Sequence, residues 1–138
     1  MILYLDPNAL VKLYVREAGS DETRARCDAA SIVATSRVAY PQARAALARR
    51  RRESVLTRAA LARAVAALDR DLEHVVVELS ARLAGIAGEL AERRALRGFD
   101  AIHLAGAIGL ERLTGASSAF LCFDDRLRAA AVAEGLRP

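Results

Sequence analysis

Three aspartates stand where the chain leaves a regular element. Asp6 follows the apolar run Ile2-Leu3-Tyr4-Leu5, and Asp124 follows Ala119-Phe120-Leu121-Cys122-Phe123 with Asp125 beside it. Asp100 lies near the start of the strongly apolar stretch FDAIHLAGAIGL. A carboxylate there is costly to bury unless a cation, a cap or water meets it. In open α/β sheets, functional groups gather at the carboxyl ends of strands. Three acids from distant positions can converge there on one divalent cation. Hard cations such as Mg²⁺ and Mn²⁺ take oxygen ligands and keep several waters. They activate water and neutralise charge on a phosphodiester in in-line displacement. Each acid also has a plainer reading, because an aspartate at the head of a helix is commonly its N-cap. Spacing leaves both readings open.

The elements that must position these acids are legible. Ile2–Leu5, Ile32–Thr35, Val75–Val77 (reached from His74) and Ala119–Phe123 are short apolar runs without alternation. Such runs suit strands covered on both faces, as in a parallel sheet. Helical periodicity fills the intervals. Ala9, Leu10, Leu13 and Tyr14 form one stripe, and Ser20-Asp21-Glu22 reads as the cap of a helix to about Ala30. Pro41 suits the first turn of a helix that ends in Arg49–Arg52. Thr57 and Ser80 cap the next two, Gly98 breaks the chain before Phe99–Leu113, and Asp124 or Asp125 opens a last helix that Gly135 ends. Strands alternating with helices predict a three-layer α/β/α sandwich with a four- or five-stranded, mainly parallel sheet. The segment from about Pro41 to Leu72 reads as an αα-hairpin with an arginine-rich turn. The short stretch after the last helix predicts a short or absent fifth strand.

Composition bounds the rest. A chain of 138 residues suits one domain, 1–138, and excludes separate cofactor and substrate lobes. Apolar residues reach 54% but aromatics only 4%, so the core rests on Ala, Leu and Val. The net charge is +4, and of 21 basic residues only Lys12 is lysine. Arginine's planar fork suits carboxylates and phosphates. That charge is compatible with nucleic acid without requiring it. Few aromatics argue against a stacking platform for single strands. Cys27 and Cys122 have no metal-like spacing, so free thiols in a reducing cytoplasm are expected. No apolar run approaches the roughly 18 residues of a membrane span.

The words LDPNALVKLYVREAGSDE, SRVAYPQARAALARRRRE, LRGFDAIHLAGA and FLCFDDRLRAAAVAEGL occur in that order. Together they resemble a PIN-domain ribonuclease, specifically a VapC-type toxin of bacterial toxin–antitoxin pairs, over nearly the whole chain. The resemblance implies a PIN-like fold and a Mg²⁺-dependent endoribonuclease, with Mn²⁺ as a substitute. Asp6, Asp100 and Asp124 match three of the family's acids as catalytic, metal-holding residues. Asn8 stands where Ser or Thr is usual, and Cys122 where Thr or Ser is frequent. The family's second acid is Glu in a word like A-Y-x-E-A-R-A-A-L, and here that position is Gln42. A glutamine amide hydrogen-bonds but carries no charge and cannot serve as a general base. Three outcomes follow: a retained but weakened metal site, a site rearranged around Glu17 or Asp125, or an inactive relative that binds its partner.

Around the acids, Asn8, Lys12, Arg44 and Arg126 are candidate substrate contacts. Lys12 reads as a phosphate contact or the partner of an acid, and equally as a solvated helix charge. His103 lies on the same helix face as Asp100 and either orients it or is a satisfied core histidine. His74 reads as structural or exposed. The Arg49–Arg52 run reads first as a solvated helix end and second as an RNA or partner contact. Two functions compete: an RNA-cutting toxin, and a binding or regulatory subunit with weak or no nuclease activity. By resemblance the partners are RNA and a VapB-type antitoxin, with a homodimer, or a heterotetramer or larger assembly with the antitoxin.

Overall fold

The computed structural model describes residues 1–72 and 76–138. His74 and Val75 therefore lie outside the described residues. Four parallel strands, β1 (Ile2–Leu5), β2 (Ile32–Ser36), β3 (Val76–Val77) and β4 (Ser118–Leu121), lie side by side in the order β3-β2-β1-β4. Ile2 pairs with Ile32 on one side and Ser118 on the other, which makes β1 central. All four β1 residues are buried, which is why its apolar run shows no alternation. Period two still sorts them. Leu3 and Leu5 join the core beneath one helical layer, and Ile2 and Tyr4 join the core beneath the other.

The first layer holds α1 (Pro7–Val11), α3 (Ala39–Arg52) and α4 (Arg58–Asp71), with Leu10, Ala43, Leu47 and Leu68 buried against Leu3 and Leu5. The second holds α5 (Ala81–Arg94), α6 (Gly98–Thr114) and α7 (Asp125–Ala133), with Leu90, Leu104 and Leu127 buried against Tyr4 and Phe120. The remaining helix, α2 (Ser20–Ala29), leads into β2. This is the three-layer sandwich expected. Alanine lets the helices approach closely, and Gly106 does so most sharply. A Cβ on Gly106 would stand 2.8 Å from the Tyr4 hydroxyl, and the Tyr4 ring stacks on Phe120 at 5.6 Å between centroids.

The caps are mostly as read. Thr57 accepts from the Ala60 N–H, and Ser80 from that of Leu83. The Arg49–Arg52 run closes α3, and Ser54, with φ of 60°, turns the chain into α4. Several boundaries are corrected. Ser20 is the first residue of α2 rather than its cap, because its hydroxyl is taken by the Val15 carbonyl and the Glu17 N–H. Gly19 caps instead, at φ 89°, where a Cβ would stand 2.7 Å from the Phe123 ring. Gly98 opens α6 rather than standing before it. The fourth strand starts at Ser118 and ends at Leu121, two residues short of the expected Phe123, because the chain turns there to present Asp124 to α7. Among the described residues a fifth strand is reduced to one parallel bridge, Ala119 to Arg137. No helix among the described residues is long and apolar enough to cross a membrane.

Candidate active site

Asp6 leaves β1 and caps α1. Its Oδ1 accepts the Ala9 N–H at 2.8 Å, and the residue is 3% exposed. Asp124 repeats the device after β4, its Oδ1 accepting the Leu127 N–H at 2.9 Å as the cap of α7. β1 and β4 are adjacent and parallel, and the Asp6 N–H donates to the Leu121 carbonyl, so the two aspartates emerge side by side. Asp100 sits in the first turn of α6 and caps nothing, since Arg97 occupies the cap position. Asp6 and Asp124 are therefore both caps. One carboxylate oxygen anchors a helix and the other stays uncommitted.

The three carboxyl groups feel one another. Burial pushes Asp6 up to about 6, and the charges of Asp100 and Asp124 add to that against the Ala9 and Asn8 N–H groups, which pull it down. Asp100 is raised by burial and by Asp124, against Arg97 and Arg126. Asp100, Asp124, Arg97 and Arg126 line a cleft of about 110 Å³ with Leu96 and Leu127. Arg126 is tethered over it by a 2.7 Å bond to the carbonyl of Ala95. Arg97 escaped the sequence reading, although its place three residues before Asp100 was the available signal.

The donor set suits a hard cation: three carboxylates whose mutual repulsion positive charge would relieve. Among the described residues, no three His, Cys, Asp or Glu side chains close around a single metal position.

Other candidates are placed elsewhere. Lys12 pairs with an acid: it bonds Glu17 at 3.1 Å and lies 4.7 Å over the Phe123 ring. Arg50 binds the same Glu17 with two nitrogens, at 2.8 and 2.9 Å, so one acid ties α3 to the segment after α1. Those two cations hold Glu17 below its ordinary range. Asp125 pairs with Arg128, and its side chain is 96% exposed. Arg44 donates to the Tyr40 hydroxyl and lines the groove between α3 and α4. Asn8 is exposed and opens onto a groove shared with Glu17, Arg49, Arg50 and Arg52. Of the arginine run, Arg49 pairs with Glu53 and Arg50 with Glu17, while Arg51 and Arg52 are exposed. Cys27 and Cys122 are both free, and burial pushes the Cys122 thiol up to about 11.

Gln42, on the second turn of α3, meets α6. Its Oε1 lies 2.7 Å from Nε2 of His103, one helical turn beyond Asp100. His103 is buried, and its Nδ1 faces the Tyr4 hydroxyl at 3.3 Å.

The PIN-domain model matches residues 3–133. The chain belongs to the PIN-domain family. Two relatives from Mycobacterium tuberculosis are each 42% identical to it: Ribonuclease VapC45 of strain CDC 1551 / Oshkosh and Ribonuclease VapC49 of strain ATCC 25618 / H37Rv. Each alignment covers 79% of this chain and 76% of the relative, which places the chain among the VapC proteins. In this PIN domain Gln42 has a partner in the fold, the imidazole of His103.

Proposed function

We propose that this chain is the toxin of a VapBC-type pair, an endoribonuclease that uses Mg²⁺ or Mn²⁺ held by Asp6, Asp100 and Asp124. One observation supports the reading. Asp100 and Asp124 line one cleft, and the charges of both reach the buried carboxyl of Asp6, which leaves the neighbouring strand. A bound divalent cation supplies Lewis-acid stabilisation of the phosphoryl group and makes water more acidic. Asp6 and Asp124 keep one free oxygen each for that cation because their other oxygen is fixed by a helix N–H. Asp100 has no capping duty and a raised proton affinity, which suits it to accept a proton from the attacking water. Arg97 and Arg126 offer the phosphate charge-assisted donors across the cleft. Water adds to phosphorus in line as its proton passes to Asp100, the bond to the 3′ oxygen breaks, and that oxygen takes a proton from solvent, so the products carry 5′-phosphate and 3′-hydroxyl ends.

Purified protein is expected to cut transfer or ribosomal RNA in Mg²⁺ or Mn²⁺ and to stop in EDTA. Asp6→Asn is expected to abolish cutting. Cleavage that persists in EDTA or in the variant overturns the reading. The second reading, a weakened or inactive relative that serves as a binding subunit, is favoured by the engagement of Gln42 with His103. Gln42→Glu decides between them: cleavage near zero in both forms, with unchanged metal affinity, supports the binding subunit.

The partner that fits is a VapB-type antitoxin. Its partly disordered basic tail would lie over the apolar cleft of about 290 Å³ lined by Leu10, Leu13, Tyr14 and Leu72, and an Arg or Lys would enter the acid cleft in place of the cation. The assembly is a cytoplasmic homodimer, or a heterotetramer or larger with the antitoxin. Co-expression with the neighbouring small reading frame tests the antitoxin, and light scattering tests the dimer. A monomer at micromolar concentration contradicts the latter.

A further inference from the structure

The chain Gln42–His103–Tyr4 is a built feature that the cation chemistry does not use. A glutamine Oε1 can only accept, so the 2.7 Å contact requires a proton on His103 Nε2. A neutral imidazole then has an unprotonated Nδ1, and the Tyr4 hydroxyl at 3.3 Å is the donor that meets it. The direction of both bonds is thereby set from the sheet outward. His103 is 1% exposed and Tyr4 fully buried, and only a glycine at 106 leaves room for the Tyr4 hydroxyl. Burial holds the imidazole down at about 4, so the ring is neutral at cellular pH with a single N–H to give.

With Oε1 committed to His103, the half-buried Gln42 keeps its NH₂ group as the free edge of the amide. That edge makes no hydrogen bond among the described residues. An NH₂ group repels a cation and seeks an anionic oxygen. We propose that Gln42 contacts the substrate rather than the cation, donating to a non-bridging phosphate oxygen of the RNA, with His103 and Tyr4 as positioning residues that hold the amide in that orientation. The proposal rests on the ribonuclease reading. In it, substitution of the expected acid moves this position from the cation side of the site to the phosphate side.

The test has two readouts. In ¹⁵N-labelled protein, long-range ¹H–¹⁵N correlation reports the His103 tautomer, and Nε2–H is expected. Fluorescence anisotropy with labelled bulk transfer RNA in EDTA reports binding, and Mn²⁺ titration by electron paramagnetic resonance reports the cation. Gln42→Ala is expected to raise the RNA Kd about tenfold, the loss of one hydrogen bond to a charged group. The Mn²⁺ Kd should stay within about twofold, well under one such bond. His103→Leu should give the same RNA loss, with no further loss in the double variant. His103→Gln, which restores a donor, should recover most of it, and urea unfolding establishes that each variant folds. An Nδ1–H tautomer overturns the relay. Weaker Mn²⁺ binding with unchanged RNA affinity in Gln42→Ala overturns the phosphate contact. Wild-type protein with the expected tautomer but no affinity for RNA overturns the substrate contact together with the ribonuclease reading.

Discussion

Asp6 carries a stability cost that can be measured without any substrate. It is 3% exposed, and its carboxyl is pushed from an ordinary 3.8 up to about 6, chiefly by burial. The folded chain therefore binds this proton more tightly than the unfolded chain. The associated stabilisation is complete below about pH 4 and is lost as pH rises through about 6. A shift of about two units corresponds to about 3 kcal/mol. Asp6→Asn removes the charge but keeps an oxygen to cap α1 through the Ala9 N–H. In EDTA at about pH 7.5, urea unfolding should find the variant more stable by about 3 kcal/mol, with a midpoint on heating higher by about 10 °C. The gap should close towards pH 4. Saturating Mg²⁺ should stabilise the wild type and leave the variant unchanged, because only the wild type presents the full charge for the ion to neutralise. A gap that does not vary with pH, or a variant less stable at neutral pH, would refute the idea that buried charge at Asp6 is held in readiness for a cation.

Three further outcomes follow from the same geometry. Asp124→Asn should stop RNA cleavage with little change in stability, whereas Asp124→Ala should also lose about 1 kcal/mol of α7 capping, read by urea unfolding. Glu17→Gln should cost about 1–3 kcal/mol in the same assay, because Lys12 and Arg50 lose the acid that binds them in a partly buried setting. Gly106→Ala should destabilise by about 1–3 kcal/mol despite its better helix propensity, because the new methyl meets the rigid end of the Tyr4 ring. Shifted Tyr4 and His103 resonances should accompany that loss.

The sequence by itself determined the layers, the order of most elements and the three aspartates. Apolar runs such as Ile2–Leu5 report burial on both faces directly, and an aspartate after such a run has few uses besides capping and chemistry. Its motif words also carried the family. Tertiary structure decided which charged side chains are free to act. The chain order offers no partner for Lys12 or Arg44, and the fold gives one Glu17 and the Phe123 ring and the other the Tyr40 hydroxyl. Arg97 looked ordinary and lines the cleft. Periodicity gives the face of a helix, but the partner of a long cation depends on which distant acid comes within a few ångströms of it. Glu17 and Arg50 are 33 residues apart, and Gln42 and His103 are 61 apart. Local pattern has no access to such pairs, because they exist only once the two helical layers have closed on the sheet. The same closure turned Gln42 from a missing acid into an amide with a defined direction.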